Sequence, residues 1–205
     1  MITSAMDYIV YFFMCIFLIV GVYQFYFWTQ NHPIKKSRSL ETKWDQYFTL
    51  KPRWVWIYSG LYYPLIILVV ATVESMREFN YMAMSYFILL FMQMFFFMVF
   101  PVETPKQWRK QVSGKTKSER MLRLVQSFDK SSNCFPSMHV SVAMLSAMHF
   151  IESSYNLGYW PLLFPLSIAL SALYTKQHFI TDLLPGAVLG WFVYQIHLQI
   201  YVPIV

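Results

Sequence analysis

Two histidines and one carboxylate stand out in segments that otherwise carry almost no ionisable groups. His139 closes the run Phe135-Pro136-Ser137-Met138-His139, and His178 and Asp182 lie in Lys176-Gln177-His178-Phe179-Ile180-Thr181-Asp182. A titratable side chain at membrane depth is expensive, so it is a functional candidate by default. If the segment after Thr175 is helical, His178 and Asp182 share one face, and the carboxylate accepts the imidazole Nδ1 proton. The Nε2 lone pair is then free to act as nucleophile or base. His139 supplies a complementary general acid for a leaving oxygen. Pro136 and Ser137 are helix-start residues, so the first-turn N–H groups beside Ser137 would face an anion, and a phosphate is the natural guest. His32, His149 and His197 read singly as packed, neutral residues.

The elements that must position these groups are membrane helices. Of 205 residues 57% are hydrophobic and only 13% charged, outside the range of soluble domains. Apolar runs near 8–28, 55–73 and 81–100 each approach the ~20 residues a helix needs to cross the hydrocarbon core. Runs near 136–151, 160–174 and 183–205 bring the number to six. The expected fold is therefore all-α: a polytopic six-transmembrane-helix bundle, with residues 1–205 as a single integral membrane domain. No Lys or Arg precedes the first run, which is expected to stay as a helix rather than be cleaved. Cys15 and Cys134 read as small apolar fillers, with no disulfide framework and no zinc spacing. Gly186 and Gly190 form a small-xxx-small pair, for which packing within the bundle is favoured over a dimer seam.

With six spans, both histidine motifs and both long loops fall on one side of the membrane. The first of these loops, Gln30 to Trp54, mixes aromatic and charged residues and is expected in the headgroup layer; the second, Pro101 to Asn133, is expected to be helical around Ser118 to Phe128. Arg77 is the one basic residue on the other side. The positive-inside rule makes the basic side cytoplasmic, whereas a surface that gathers lipid phosphates would be basic on either face, so the leaflet stays open.

These residues resemble the type-2 phosphatidic acid phosphatase superfamily of membrane lipid phosphatases and phosphotransferases over roughly residues 93 to 195. Its Pro-Ser-Gly-His motif is matched by Pro136-Ser137-Met138-His139, with Met138 at the glycine. Its Ser-Arg-x5-His-x3-Asp motif is matched in register from Ser171 to Asp182, with Ala172 in the arginine's place. The wording around both motifs looks closest to the branch that includes inositol phosphorylceramide synthases. The first motif, Lys-x6-Arg-Pro, is where the chain departs: ending it on Pro101 puts Gln93 and Phe100 where the cations belong. Lys176, one helical turn beyond Ala172, is expected to restore one charge. Lys106 and Arg109 are candidates for a second, with solvated loop charge as their alternative.

The resemblance implies attack by His178 on phosphorus, a phosphohistidine intermediate, Asp182 fixing the ring and His139 protonating the departing oxygen. Lys176, Ser137, Lys106 and Arg109 would bind the substrate. No cofactor or metal is implied, and no carboxylate cluster would hold one. The implied partners are a lipid phosphate and the bilayer, with no nucleic acid; the oligomeric state is open. The implied activity is hydrolysis of a lipid phosphomonoester or pyrophosphate. Transfer of a phospho-headgroup to an alcohol is the alternative, and a non-catalytic lipid-binding or transport protein on the same fold is a second.

Overall fold

The computed structural model describes residues 5–129, 131–153 and 155–201; Lys130 lies outside them. Among the described residues there is no strand, only an isolated bridge between Arg38 and Val102. The helices are α1 (Ala5–Asn31), α2 (Tyr62–Leu68), α3 (Met76–Val99), α4 (Lys106–Lys110), α5 (Lys117–Phe128), α6 (Met138–Glu152), α7 (Leu163–Tyr174) and α8 (Ile180–Tyr201).

Four helical stretches are long and apolar enough to cross a membrane: Ala5–Asn31, Pro52–Thr72, Met76–Val99 and Ile180–Tyr201. The two remaining segments of the expected six form α6 and α7, of 15 and 12 residues. At 1.5 Å per residue α6 is about 22 Å long, short of the ~30 Å hydrocarbon core. It lies at the bundle's centre, where Ala143, Leu145 and Ala147 have no exposed surface, so protein rather than lipid surrounds it. In contrast α1 shows Phe13 and Phe17 outward.

Helix boundaries follow local chemistry. The Ser75 side chain accepts the Glu78 N–H and starts α3, and α3 stops at the residue pair before Pro101, which disfavours helical geometry just ahead of it. The Pro52–Thr72 stretch is irregular, with a π-helical turn at Trp56–Leu61 ahead of α2. Pro64 accounts for it: the ring has no N–H for the Gly60 carbonyl and clashes with it, so the preceding turn widens. That turn carries Tyr58 into the interior.

The closest helix pair is α6 with α8. A Cβ built on Gly190 would sit 2.2 Å from the Ser141 carbonyl oxygen, and one on Gly186 would sit 2.6 Å from that of Ser137. The small-xxx-small pair is thus spent on packing inside the bundle. All the long connections gather at one end. Lys51 N–H donates to the Tyr174 carbonyl (2.8 Å), Cys134 N–H to Val102 (3.1 Å), and Lys176 Nζ to the Asp45 carbonyl (2.7 Å). Within the Gln30 to Trp54 loop, Trp44 and Tyr47 are exposed, whereas Asp45 is buried against the start of α8.

Candidate active site

His139 is the second residue of α6. Ser137 caps that helix, its hydroxyl accepting the Val140 N–H, while its own N–H donates to the Asp182 carbonyl at 3.0 Å. This one bond ties the two histidine motifs together, and it is possible because Gly186 lets the backbones touch. The Pro136 ring sits just outside the helix rather than in its first turn.

His178 is placed differently from the sequence expectation. It lies in the turn between α7 and α8, not on a helix face shared with Asp182. Helix α7 ends in a Schellman motif: Gln177 N–H reaches back to Ala172 O (3.0 Å) and Lys176 N–H to Leu173 O (3.1 Å), with Lys176 left-handed at φ 58°. Phe179 then stands at the N-cap position of α8, and Asp182, three residues on, accepts the Phe179 N–H through Oδ2 at 2.9 Å, half of a capping box. That bond folds the turn so that His178 Nδ1 lies 3.4 Å from the same Oδ2. A closer acceptor is present too, the Cys134 carbonyl at 3.0 Å from Nδ1. The tautomer carrying hydrogen on Nδ1 is therefore held twice.

The His139 and His178 ring centroids are 6.2 Å apart. Tyr58 bonds His139 Nδ1 at 3.1 Å and stacks on its ring at 4.3 Å, with Tyr62 4.7 Å away on another side. With both Nδ1 atoms engaged, each ring keeps Nε2 without a hydrogen-bond partner among the described residues. Two such nitrogens on facing rings can serve one reacting centre, one as nucleophile and one as proton donor.

The other sequence candidates scatter. Ser137 is at the site but committed to capping. Lys176 does not continue the α7 face, because the Schellman turn redirects it; its ammonium lies 4.4 Å over the Trp108 ring and donates to the Asp45 carbonyl. Burial pushes its pKa below the ordinary lysine value. Arg109 binds the Gln126 carbonyl (2.9 Å) and the Asp129 carbonyl, tying α4 to the end of α5. Lys106 is exposed.

Four contributors were missed from sequence: Tyr58, Asp45, the Cys134 carbonyl and Arg38. Asp45 Oδ1 accepts the Ile180 N–H at 2.8 Å and so caps α8 from a distant loop. Arg38 lies with its guanidinium 4.1 Å over the Phe100 ring, and its N–H donates to Pro101 O. A cation thus stands beside the position where Phe100 replaces the motif's arginine. Gln93, in the lysine's place, donates to Ser141 Oγ at 2.7 Å inside the bundle, and its Oε1 has no partner among the described residues. Only the Arg-Pro dipeptide's loss hinted at Arg38. Nothing in the spacing pointed to Tyr58.

Cys134, His178 and Asp182 offer ligand atoms within 4.8 Å of one another. The trio fits a metal poorly. Burial pushes the Cys134 thiol well above its ordinary pKa, its Sγ donates to the Ser131 carbonyl (3.2 Å), and His178 Nδ1 is already bonded.

The fold is thus all-α, with four helical stretches long and apolar enough to cross a membrane, and one end of it holds a carboxylate-braced histidine beside a second histidine. The chain matches the family model described as the PAP2 superfamily over residues 28–196, and it belongs to that superfamily. Neither the curated proteins nor the solved structures give a match.

Proposed function

We propose that this protein is a lipid phosphate phosphatase working through a phosphohistidine on His178. His178 Nε2 attacks phosphorus, and the bond from phosphorus to the lipid oxygen breaks. His139, entering this step as the imidazolium, gives its Nε2 proton to that oxygen and becomes neutral, its Nδ1–H donating to the Tyr58 hydroxyl oxygen. Water then attacks the phosphohistidine and loses its proton to His139, phosphate departs, and both rings return to their starting states. The developing imidazolium of His178 is stabilised by Asp182 and the Cys134 carbonyl. Arg38 and Lys176 are proposed as the cations for the phosphate oxygens, where electrostatic help is often the largest catalytic contribution; Arg109 and Lys106 are given no such part.

The observation that carries the reading is the facing pair of rings, 6.2 Å apart, with each Nδ1 engaged. Transfer to an alcohol acceptor shares every step up to the phosphohistidine. Purified protein given a lipid phosphate labelled in its phosphate separates the two: free labelled phosphate supports hydrolysis, and label on a second lipid supports transfer. His178→Ala is expected to abolish both. Unchanged turnover in that variant, folded normally, would remove His178 as the nucleophile, and a folded wild-type protein with no turnover would leave the non-catalytic reading.

A further inference from the structure

Helix α5 presents three faces, and the bundle uses one of them. On that face Leu122 has no exposed surface and packs with Val55 and Val112. A flank beside it, at steps of three and four, reads Met121, Leu124 and Phe128; Met121 is half-buried, whereas Leu124 and Phe128 are 52% and 64% exposed. The outward face, at the same steps, reads Arg120, Arg123 and Ser127, all exposed. Lys115 and Lys117 are exposed at the start of the helix. Glu119 is the one acidic residue between 115 and 128, and it is occupied, accepting the Ser113 hydroxyl (3.0 Å) and the Thr116 N–H (2.9 Å). Both ends of α5 are tied to stretches of membrane-spanning length. The Trp56 indole donates to the Ser118 hydroxyl (3.1 Å), and the Tyr26 hydroxyl and Gln30 amide donate to the carboxylate of Asp129, the C-cap (3.2 and 2.8 Å). The 27 residues of α1 make it about 40 Å long, ~10 Å more than the hydrocarbon core. With α1 centred on that core, Tyr26 and Gln30 lie near the boundary between headgroups and acyl chains.

We propose that α5 is an interfacial helix that binds anionic phospholipids of the surrounding bilayer. The Leu124 and Phe128 flank enters the acyl boundary, and Lys117 and Arg120 hold headgroup phosphates. An apolar flank beside a basic face is the pattern of helices that lie in the membrane plane, and the ties to Tyr26 and Trp56 put α5 at the depth where such helices bury their apolar side. Charge identifies the occupant. Four cations against one occupied carboxylate attract a phosphate-bearing surface and repel a second copy of the same face. The patch also lies at the histidines' end of the bundle, since Trp56, which holds Ser118, is two residues before Tyr58, which bonds His139. The inference does not depend on the proposed phosphatase chemistry.

The full chain reconstituted in mixed phosphatidylcholine and phosphatidylglycerol bilayers tests both parts. In a Cys15→Ser, Cys134→Ser background, a nitroxide on Phe128→Cys is expected to be accessible to oxygen and shielded from a water-soluble nickel chelate, whereas one on Ser127→Cys is expected to favour the chelate. Equal chelate accessibility at the two positions overturns insertion. A Phe128→Cys label shielded from both reagents marks a protein contact, such as a second copy, and overturns the lipid assignment. In the otherwise native chain, Arg120→Gln is expected to lower the association constant for spin-labelled phosphatidylglycerol relative to phosphatidylcholine by about fivefold, the factor for one cation near a membrane surface. Lys36→Gln, on the exposed part of the first loop, is expected to leave the ratio unchanged. No change in Arg120→Gln, or an equal fall in both variants, overturns the assignment to α5. This second measurement keeps both native cysteines, so it decides the matter even where the cysteine-free background does not fold.

Discussion

Asp182→Asn is the most discriminating substitution, because His178 has two acceptors behind it. In a triad where the acid alone fixes the histidine tautomer, its replacement by the amide lowers kcat about 10⁴-fold. Here the Cys134 carbonyl is nearer Nδ1 than Asp182 is, 3.0 Å against 3.4 Å. The Asn oxygen is kept on the His178 side by the Phe179 N–H, which bonds Oδ2 in the native protein. The new NH₂ would take the place of Oδ1, an atom with no protein partner among the described residues. The tautomer survives, and what is lost is one charge-assisted contact to the developing imidazolium, about 1.5–3 kcal/mol. That corresponds to roughly a 10- to 150-fold fall in kcat, with the long 3.4 Å contact favouring the lower half. The assay is phosphate release from a lipid phosphate in liposomes, with single-turnover kinetics to isolate the chemical step. A fall of about 10⁴ would mean that the carbonyl does not hold the ring. No fall would mean that the carboxylate does not serve His178 at all. Cys134→Ser, which keeps the carbonyl, is the matched control and should retain near-native activity.

Arg38→Ala should lower kcat/KM by about tenfold or more while Lys106→Ala changes it little, since only Arg38 is anchored, over Phe100, beside the replaced motif arginine; equal small effects in a turnover assay would remove Arg38 from the site. Gly190→Ala should destabilise the bundle by about 1–3 kcal/mol through overpacking against the Ser141 carbonyl. Gly21→Ala, which meets nothing within 4 Å, should be neutral in the same detergent-solubilised thermal melts, and matching melting temperatures for the two would contradict the close packing. If the Lys176 ammonium assists the phosphate, activity is present while it is protonated and is lost as pH rises through its pKa. Burial puts that pKa below the ordinary 10.5. Lys176→Arg should move this alkaline limb of the pH–rate profile to higher pH, and an unmoved limb assigns the limb to another group.

The helices and the histidine pair were readable because each rests on local signals. Long apolar runs set α1, α3 and α8; Ser137 and the Pro after Phe100 set boundaries; and a spacing of four put Asp182 within reach of His178. The reason for that reach was misread, since a spacing of four is met equally by a helix face and by a capping turn that ends on the third helical residue. Spacing alone does not separate them. Lys176 shows the same ambiguity: the pattern after Ala172 continues helically on paper, but a Schellman turn formed with lysine, not glycine, in the left-handed position carries no sequence flag. The contacts from Asp45, Arg38 and Tyr58 bridge 135, 62 and 81 residues of chain to Ile180, Phe100 and His139. Such pairings depend on how loops close over the bundle, which no local periodicity encodes.

On the proposed mechanism, physical range accounts for a chain that matches the two histidine motifs but not the cations of the first. A nucleophile and a proton donor must meet the reacting atoms to within a fraction of an ångström, and a 1 Å misplacement can cost about 10²-fold. Their scaffold is correspondingly tight: Ser137 on the Asp182 carbonyl, Gly186 against Ser137, Phe179 N–H on Asp182. A phosphate-binding charge is held less strictly. At an effective dielectric constant near 20, the attraction between unit charges falls only from about 4 kcal/mol at 4 Å to about 3 at 6 Å. A guanidinium or ammonium can therefore reach the same anion from a different loop with modest loss, which is what Arg38 over Phe100 offers. If that is how the site works, Phe100→Arg in an Arg38→Ala background should restore activity, because the charge returns along the motif's own route. A double variant no better than Arg38→Ala would show that Arg38 serves the loop and not the phosphate.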